Sequence, residues 1–413
     1  MIRLLVVDDS ALMRKHLNQV FSAEGDFEIA NARNGAEALV ELKRFEPDVV
    51  TLDVNMPELD GISALSLIMA ERPTPVVMFS SITEKGATAT LEALALGAVD
   101  FIAKPGGTIS LNIDAVHQEL VAKVRSAANA KVRGYSRRAQ APVTGAERPL
   151  TEPPGSLRRT QPAVSATAAT PTHRARTYEP PTPSKPSVEP GVRSRFARSP
   201  GLVLPGHLPP ETTTPYSKMR AFGVVMIGVS TGGPKALEEI LPLLDKRFRW
   251  PVLVAQHMPP QFTEAFAKRL NSLCPLNVVE VNAPMEVVPG NVYLGRGGTD
   301  MVMAERLGKL IVTPRPESSE YLWHPSVEAM VKSAIKLMHP SQTISVMLTG
   351  MGYDGATAMT ELRKMGGRTI AESEETATVF GMPAELIKQG GAGIVLPCHS
   401  IAQQLNYWMQ TGV

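Results

Sequence analysis

Cysteine is almost absent. The 413 residues hold only Cys274 and Cys398. Two distant thiols, each beside a proline, offer neither a metal-ligand pair nor a disulfide framework, and both read as buried core residues. Long apolar runs are missing too. None approaches the ~20 residues a membrane span needs, so no membrane insertion is expected. The chain opens Met-Ile-Arg-Leu-Leu-Val-Val and then meets Asp8 and Asp9. That stretch is too short and ends too abruptly in charge for a secretory signal. A soluble, cytoplasmic protein is expected. Internal repeats are absent as well. Net charge is slight, +2 from 42 basic and 40 acidic residues, and the surplus is local. Between Lys131 and Arg220 there are 15 Lys and Arg against five Glu, a net of +10, which leaves 27 basic and 35 acidic residues elsewhere, a net of −8. The basic stretch lacks interleaved aromatics and reads as a solvated tether. No basic domain face for nucleic acid is indicated.

What is present divides into three parts. Residues 1–125 alternate short apolar runs with helical patterns. Strands are expected at Leu4–Asp9, Phe27–Ala32, Asp48–Val54, Pro75–Ser80 and Asp100–Ala103. Between them, Ser10–Ala23 places Leu12, Leu17, Val20 and Phe21 at helical spacing. Strands alternating with helices of this length predict a parallel sheet covered on both faces. From about 131 the pattern dissolves, and 16 of the 35 prolines lie between there and 218. Such a composition cannot bury enough surface to offset ordering entropy, so 126–218 is expected to be a disordered linker. Order returns for 219–413, a second and larger α/β domain. Its expected strands are Phe222–Val229, Val252–Gln256, Asn277–Val281 and Thr343–Thr349, with helices at Pro234–Leu244, Gln261–Leu273, Ser326–Leu337 and Ala356–Met365. Antiparallel pieces are expected around Asn291–Lys309.

In the first domain the acidic and basic residues gather at strand ends. Asp8 and Asp9 end the first strand, Asp53 the third, Ser80 the fourth and Lys104 the fifth. Ligands of open α/β sheets bind at this carboxyl edge. Three converging carboxylates repel one another unless a cation joins them, and oxygen-only donors favour a hard ion such as Mg²⁺. Asp53 could then attack a phosphoryl donor. Lys104 would neutralise the added charge, and Ser80 would hydrogen-bond the new oxygens.

In the second domain, Gly228-Val229-Ser230-Thr231-Gly232 is a G-x-S-x-G between an apolar strand and a helix opened by Pro234. Strand, sharp turn and helix is the setting that lifts a serine hydroxyl for attack, with the following N–H facing a developing oxyanion. Of eight histidines, His16, His117, His173 and His207 lie outside this domain. His257, His324, His339 and His399 remain, and His257 directly follows a strand, as Ser230 does. Among Asp245, Asp300 and Asp354, the last lies just beyond the strand Thr343–Thr349. Ser230, His257 and Asp354 can therefore meet in one cleft, in a chain order different from that of the α/β-hydrolases. Gly228, Gly232 and Gly233 do not have the G-x-G-x-x-G spacing. The next strand ends in His257 rather than a ribose-binding acid, which argues against a dinucleotide site.

V-D-D-S-A-L-M-R, D-V-V-T-L-D-V-N-M-P-E-L-D-G, V-V-M-F-S-S and D-F-I-A-K-P resemble the receiver domain of response regulators. The resemblance implies a flavodoxin-like fold and phosphorylation of Asp53 by a histidine kinase phosphodonor. Mg²⁺ would be held by Asp8, Asp9, Asp53 and the carbonyl of Asn55, with Ser80, Phe101 and Lys104 as switch residues. I-G-V-S-T-G-G-P, A-Q-H-M-P-P-Q-F, L-T-G-M-G-Y-D-G-A and V-F-G-M-P resemble the catalytic domain of the CheB protein-glutamate methylesterases. That implies a doubly wound α/β methylesterase domain acting on chemotaxis receptors. Ser230 would be the nucleophile, His257 the base and Asp354 its orienter, with the N–H groups of Thr231 and Met351 as oxyanion donors. No cofactor is implied for the esterase; some members also deamidate receptor glutamines. Two departures stand out. The family's N-R-H-R-P-S segment reads Tyr321-Leu322-Trp323-His324-Pro325-Ser326 here, without arginines. The linker is longer than the family's usual connector, which weakens the expectation that one domain docks tightly on the other. The missing arginines leave a non-catalytic adaptor as an alternative, against which the intact Ser230, His257 and Asp354 argue.

Overall fold

The computed structural model describes residues 1–80, 83–104, 113–131 and 220–411. Most of the expected linker, residues 132–218, lies outside them. In the N-terminal domain, β1 (Ile2–Val7), β2 (Phe27–Ala32), β3 (Val49–Asp53), β4 (Val76–Ser80) and β5 (Asp100–Ala103) alternate with five helices. These are α1 (Ala11–Glu24), α2 (Gly35–Phe45), α3 (Gly61–Glu71), α4 (Glu84–Leu96) and α5 (Ile113–Ala128), the last running past the expected boundary at 125. The sheet order is β2-β1-β3-β4-β5 and every pairing is parallel, the flavodoxin-like order. β3 and β4 are buried along their whole length, as a parallel sheet covered on both faces requires. Side chains of Ser10, Asn34, Asp60 and Thr83 cap the starts of α1 to α4. At Gly61 a Cβ would stand 1.9 Å from the Asp53 carbonyl oxygen, so only glycine lets α3 start against the end of β3.

The C-terminal domain carries two sheets. β6 (Val224–Val229), α6 (Gly233–Ile240), β7 (Val252–Gln256), α7 (Pro260–Leu273), β8 (Asn277–Val281), β9 (Met285–Glu286) and β10 (Asn291–Gly295) come first. Then follow β11 (Thr299–Arg306), β12 (Lys309–Pro316), α8 (Val327–Ile335), β13 (Thr343–Met347) and α9 (Ala356–Lys364). β14 (Arg368–Glu372), α10 (Met382–Lys388), β15 (Ile394–Leu396) and α11 (Cys398–Gln410) complete the domain. The large sheet is parallel, in the order β15-β14-β13-β6-β7-β10-β8. The chain enters at β6, builds outward through β7, and returns to β13 on the other side. The switch in strand order therefore falls between β6 and β13, where α/β sheets place their ligands.

The antiparallel expectation holds for only part of its range. β11, β12 and β9 form the antiparallel sheet, but β10 is a parallel strand between β7 and β8. Its Val292 and Leu294 are fully buried, as a strand with neighbours on both sides must be. The β11–β12 turn is Leu307-Gly308, both at positive φ (53° and 77°), which is the twist a two-residue hairpin requires.

The two domains pack into one compact body. α4 lies against α6 and α7, and Leu91, Leu94 and Phe101 share a continuous core with Leu237, Phe262 and Phe266. The Phe101 and Phe262 ring centroids are 4.4 Å apart, tilted by 49°. The long connector therefore does not keep the domains apart in this structure.

Candidate functional site

Ser230 follows β6 and His257 follows β7, after residues Val229 and Gln256 that pair across the two strands. The Ser230 N–H donates to the Thr349 carbonyl beyond β13 at 3.0 Å, and the His257 N–H donates to the Val229 carbonyl at 3.1 Å. The Gln256 amide nitrogen donates to the carbonyls of both Ser230 and His257 at 3.0 Å. Three adjacent strand ends thus meet at the switch point. A turn this tight has no spare room: a Cβ on Gly233 would stand 2.1 Å from Gln256 Oε1.

Asp354 closes the group. Its Oδ2 lies 2.9 Å from His257 Nε2 and accepts from the Val327 N–H at 2.7 Å. Its Oδ1 accepts from the Ser326 hydroxyl and the Glu328 N–H, both at 3.0 Å. The carboxylate therefore sits on the N–H groups at the start of α8 that have no partner within the helix, where the helix dipole favours negative charge. Burial pushes its pKa up. The hydrogen bond and charge of His257 and the two backbone N–H groups outweigh that and hold it below the usual carboxylate value. With Nε2 engaged by a carboxylate, the imidazole proton belongs there. Nδ1 is buried and has no hydrogen-bond partner among the described residues, which leaves it free to act as a base.

Of the two expected oxyanion donors, Thr231 is the first residue of the nucleophile turn and is buried. Met351 follows Gly350, where a Cβ would fall 2.7 Å from the Ser230 Cβ. The Gly350 carbonyl accepts from the N–H groups of Gly381 and Met382 at the start of α10. Because the peptide is planar and trans, the Met351 N–H points away from α10.

At the carboxyl edge of the N-terminal sheet, carboxylate oxygens of Asp8, Asp9 and Asp53 lie within 4.8 Å of one another. Lys104 Nζ is 2.9 Å from Asp8 and 2.8 Å from Asp53. Burial raises the Asp53 pKa, the nearby Asp8 charge adds to it, and Lys104 and the Asn55 N–H only partly offset both. Lys104, pulled down by burial, is lifted above its ordinary value by the two carboxylates. Oxygen donors this close, short of positive charge, fit a hard divalent ion. Ser80, at the end of β4, donates to the Gly86 carbonyl of α4 at 3.1 Å. Phe101 is buried in the domain interface against Phe262.

Several contacts here were not foreseen from the sequence. The Thr231 hydroxyl donates to the Asp100 carboxylate of β5 at 2.5 Å, and the Gly232 N–H donates to the Val99 carbonyl at 3.2 Å. The N-terminal domain thus holds the turn that carries Ser230. His324 Nδ1 lies 2.9 Å from Asp300, which also accepts from the Ser326 N–H at 2.8 Å. Trp323 stacks on His257. The only sequence hint was the departure at Tyr321–His324, whose residue types do not reveal which neighbours they meet.

Residues 225–405 match the CheB methylesterase family, and residues 4–113 match the response regulator receiver domain. A relative from Rhodospirillum rubrum, named protein-glutamate methylesterase/protein-glutamine glutaminase 3, is 48% identical over 412 residues, 99% of this chain and 96% of its own. One from Rhodopseudomonas palustris, named protein-glutamate methylesterase/protein-glutamine glutaminase 2, is 48% identical over 408 residues, 99% of this chain and 98% of its own. The solved catalytic domain of Thermotoga maritima CheB methylesterase is 39% identical, covers 46% of this chain and 99% of its own, and has a TM-score of 0.44. No helix among the described residues is long and apolar enough to cross a membrane.

Proposed function

The chain belongs to the CheB methylesterase family, receiver domain included, and from that premise we propose that it is a phosphorylation-regulated serine hydrolase demethylating glutamate side chains of chemotaxis receptors. Ser230 Oγ attacks the ester carbonyl as its proton passes to His257 Nδ1. The Thr231 and Met351 N–H groups hold the oxyanion. As the C–O bond to methoxide breaks, His257 returns the proton and methanol leaves. Water then attacks the acyl-enzyme with His257 again as base, releasing the glutamate carboxylate and Ser230. Asp354 stays ionised throughout and orients the imidazole. A glutamine side chain enters the same sequence with ammonia as leaving group, so deamidation uses the same residues. The observation that carries this reading is the four-donor seat of Asp354 with His257 Nδ1 left free.

Regulation enters through Asp53, phosphorylated from a histidine kinase. Asp8, Asp9, Asp53 and the Asn55 carbonyl would hold Mg²⁺, which supplies charge neutralisation for phosphoryl transfer. Lys104, bound to Asp53, directly follows β5, and Asp100 at the start of β5 holds Thr231. Ser80, Phe101 and Lys104 would relay the acyl phosphate to this strand. The docked, unphosphorylated state restrains the nucleophile turn, and phosphorylation shifts the population toward release.

The test is methanol release from methyl-labelled receptor membranes by wild type and Ser230→Ala, each with and without phosphodonor and Mg²⁺. Release that requires Ser230 and rises with phosphodonor is expected. Release that persists in Ser230→Ala would reject the nucleophile assignment. Release indifferent to phosphodonor would reject the regulation.

A further inference from the structure

His257 is gripped on its face as well as its edge. The Trp323 indole lies parallel to the imidazole, with planes 4° apart and centroids separated by 5.5 Å, an offset stack. A single in-plane hydrogen bond at Nε2 fixes one nitrogen but lets the ring roll about that bond. A plate against the face removes the roll, and with it the freedom of Nδ1 to swing out of line.

Trp323 is itself held in place. Tyr353 meets it edge-on, with centroids 5.3 Å apart and planes at 83°. A Cβ on Gly352, at φ +92°, would come within 2.9 Å of the indole, so the ring occupies space that only glycine leaves. On the other side the chain is anchored by His324 to Asp300, and by Ser326 to both Asp300 and Asp354. The stretch Trp323–Ser326 therefore holds both members of the dyad, the imidazole through Trp323 and the carboxylate through Ser326.

We infer that Trp323 is a positioning residue for His257, fixing the ring plane in which Nδ1 takes the proton of Ser230. The inference rests on reading Ser230 as nucleophile and His257 as base. The indole face also favours the imidazolium that forms when His257 is protonated, as a cation over an aromatic ring. The segment that lacks the family's arginines has thus gained a task inside the active site.

The test uses the full-length chain with Trp323→Leu and Trp323→Phe. Two rates are measured: methanol release from methylated receptor membranes, resolved into kcat and KM, and phosphonylation of Ser230 by a small fluorophosphonate. The second probe carries no receptor to be recognised. Trp323→Leu is expected to lower kcat by about 10–100-fold, the scale of a misplaced catalytic group, and to slow phosphonylation in proportion. KM should stay within about twofold, since no substrate contact is lost. Trp323→Phe, which keeps a stacking face, should recover most of both rates. A raised KM with kcat and phosphonylation unchanged would overturn the inference and make Trp323 a receptor contact. Unchanged values throughout would overturn it too. Wild-type protein whose Ser230 resists the fluorophosphonate would overturn the underlying site reading, and the inference with it.

Discussion

Asp53 and Asp354 are both aspartates buried at the carboxyl edge of a parallel sheet, yet their environments move them in opposite directions. Asp354 accepts from two backbone N–H groups, a hydroxyl and an imidazole, and is held below the ordinary carboxylate value despite burial. Asp53 has Lys104 and the Asn55 N–H but shares its pocket with Asp8, and burial wins. The difference lies in how far fixed donors replace lost water. A carboxylate fully supplied by the fold is a permanent anion suited to orienting a base. One left undersupplied is suited to accepting charge from outside, as a metal ion or a phosphoryl group.

The comparison breaks most visibly at Asp354. Asp354→Asn should lower kcat by about 10⁴-fold, because the amide favours the wrong imidazole tautomer. A loss under tenfold in methanol release would mean the carboxylate does not orient His257. The depressed value also carries a stability term, complete above the ordinary carboxylate range and lost as pH falls through the lowered folded value.

Glu372 falls on the undersupplied side with Asp53. It is buried with two donors, the Thr349 N–H at 2.8 Å and the Thr376 hydroxyl at 2.9 Å, and burial lifts it from 4.5 to about 7. The folded protein then binds this proton more tightly than the unfolded chain, so stability should fall as pH rises from about 4.5 to about 7. The shift corresponds to about 3 kcal/mol, roughly three-hundredfold in the unfolding constant. Urea unfolding of wild type and Glu372→Gln across that window should show a steeper fall in wild type, the difference being the share of Glu372. Equal slopes would mean that two donors suffice to hold a buried carboxylate at its ordinary value.

Asp53→Asn should abolish the stimulation by phosphodonor, a change of roughly tenfold on the usual scale of coupling between sites. It should also raise the melting temperature at neutral pH, since it removes a buried charge held above its ordinary value. A fall in melting temperature would show that the Lys104 pair outweighs the burial.

The smallest effect concerns communication between the sites. Thr231→Val keeps the backbone donor but removes the hydroxyl bonded to Asp100, and should raise unstimulated methanol release about fivefold. No rise would mean that β5 does not restrain the nucleophile turn.

Much of this was legible beforehand. The five N-terminal strands and the main C-terminal strands and helices follow from apolar runs punctuated by Gly, Pro and capping residues, all local signals. The expected site residues were placed by one rule, that chemistry collects where parallel strands end. The structure brings Ser230, His257 and Asp354 to one switch point, and Asp8, Asp9, Asp53 and Lys104 to another edge. β10 was misplaced because antiparallel and parallel partners look alike in a short apolar strand. The ladder, not the residues, decides.

The sequence by itself determined the alternation of strand and helix, the turn that lifts Ser230, and which carboxylates stand at strand ends, because each depends on residues near one another in the chain. Only the tertiary structure decided what surrounds them. The donors that keep Asp354 ionised come from α8, the indole on His257 from the segment before it, and the carboxylate on Thr231 from the other domain, 131 positions away. Desolvation and hydrogen bonding act over a few ångströms of space, and distance along the chain carries no record of which groups the fold will bring that close.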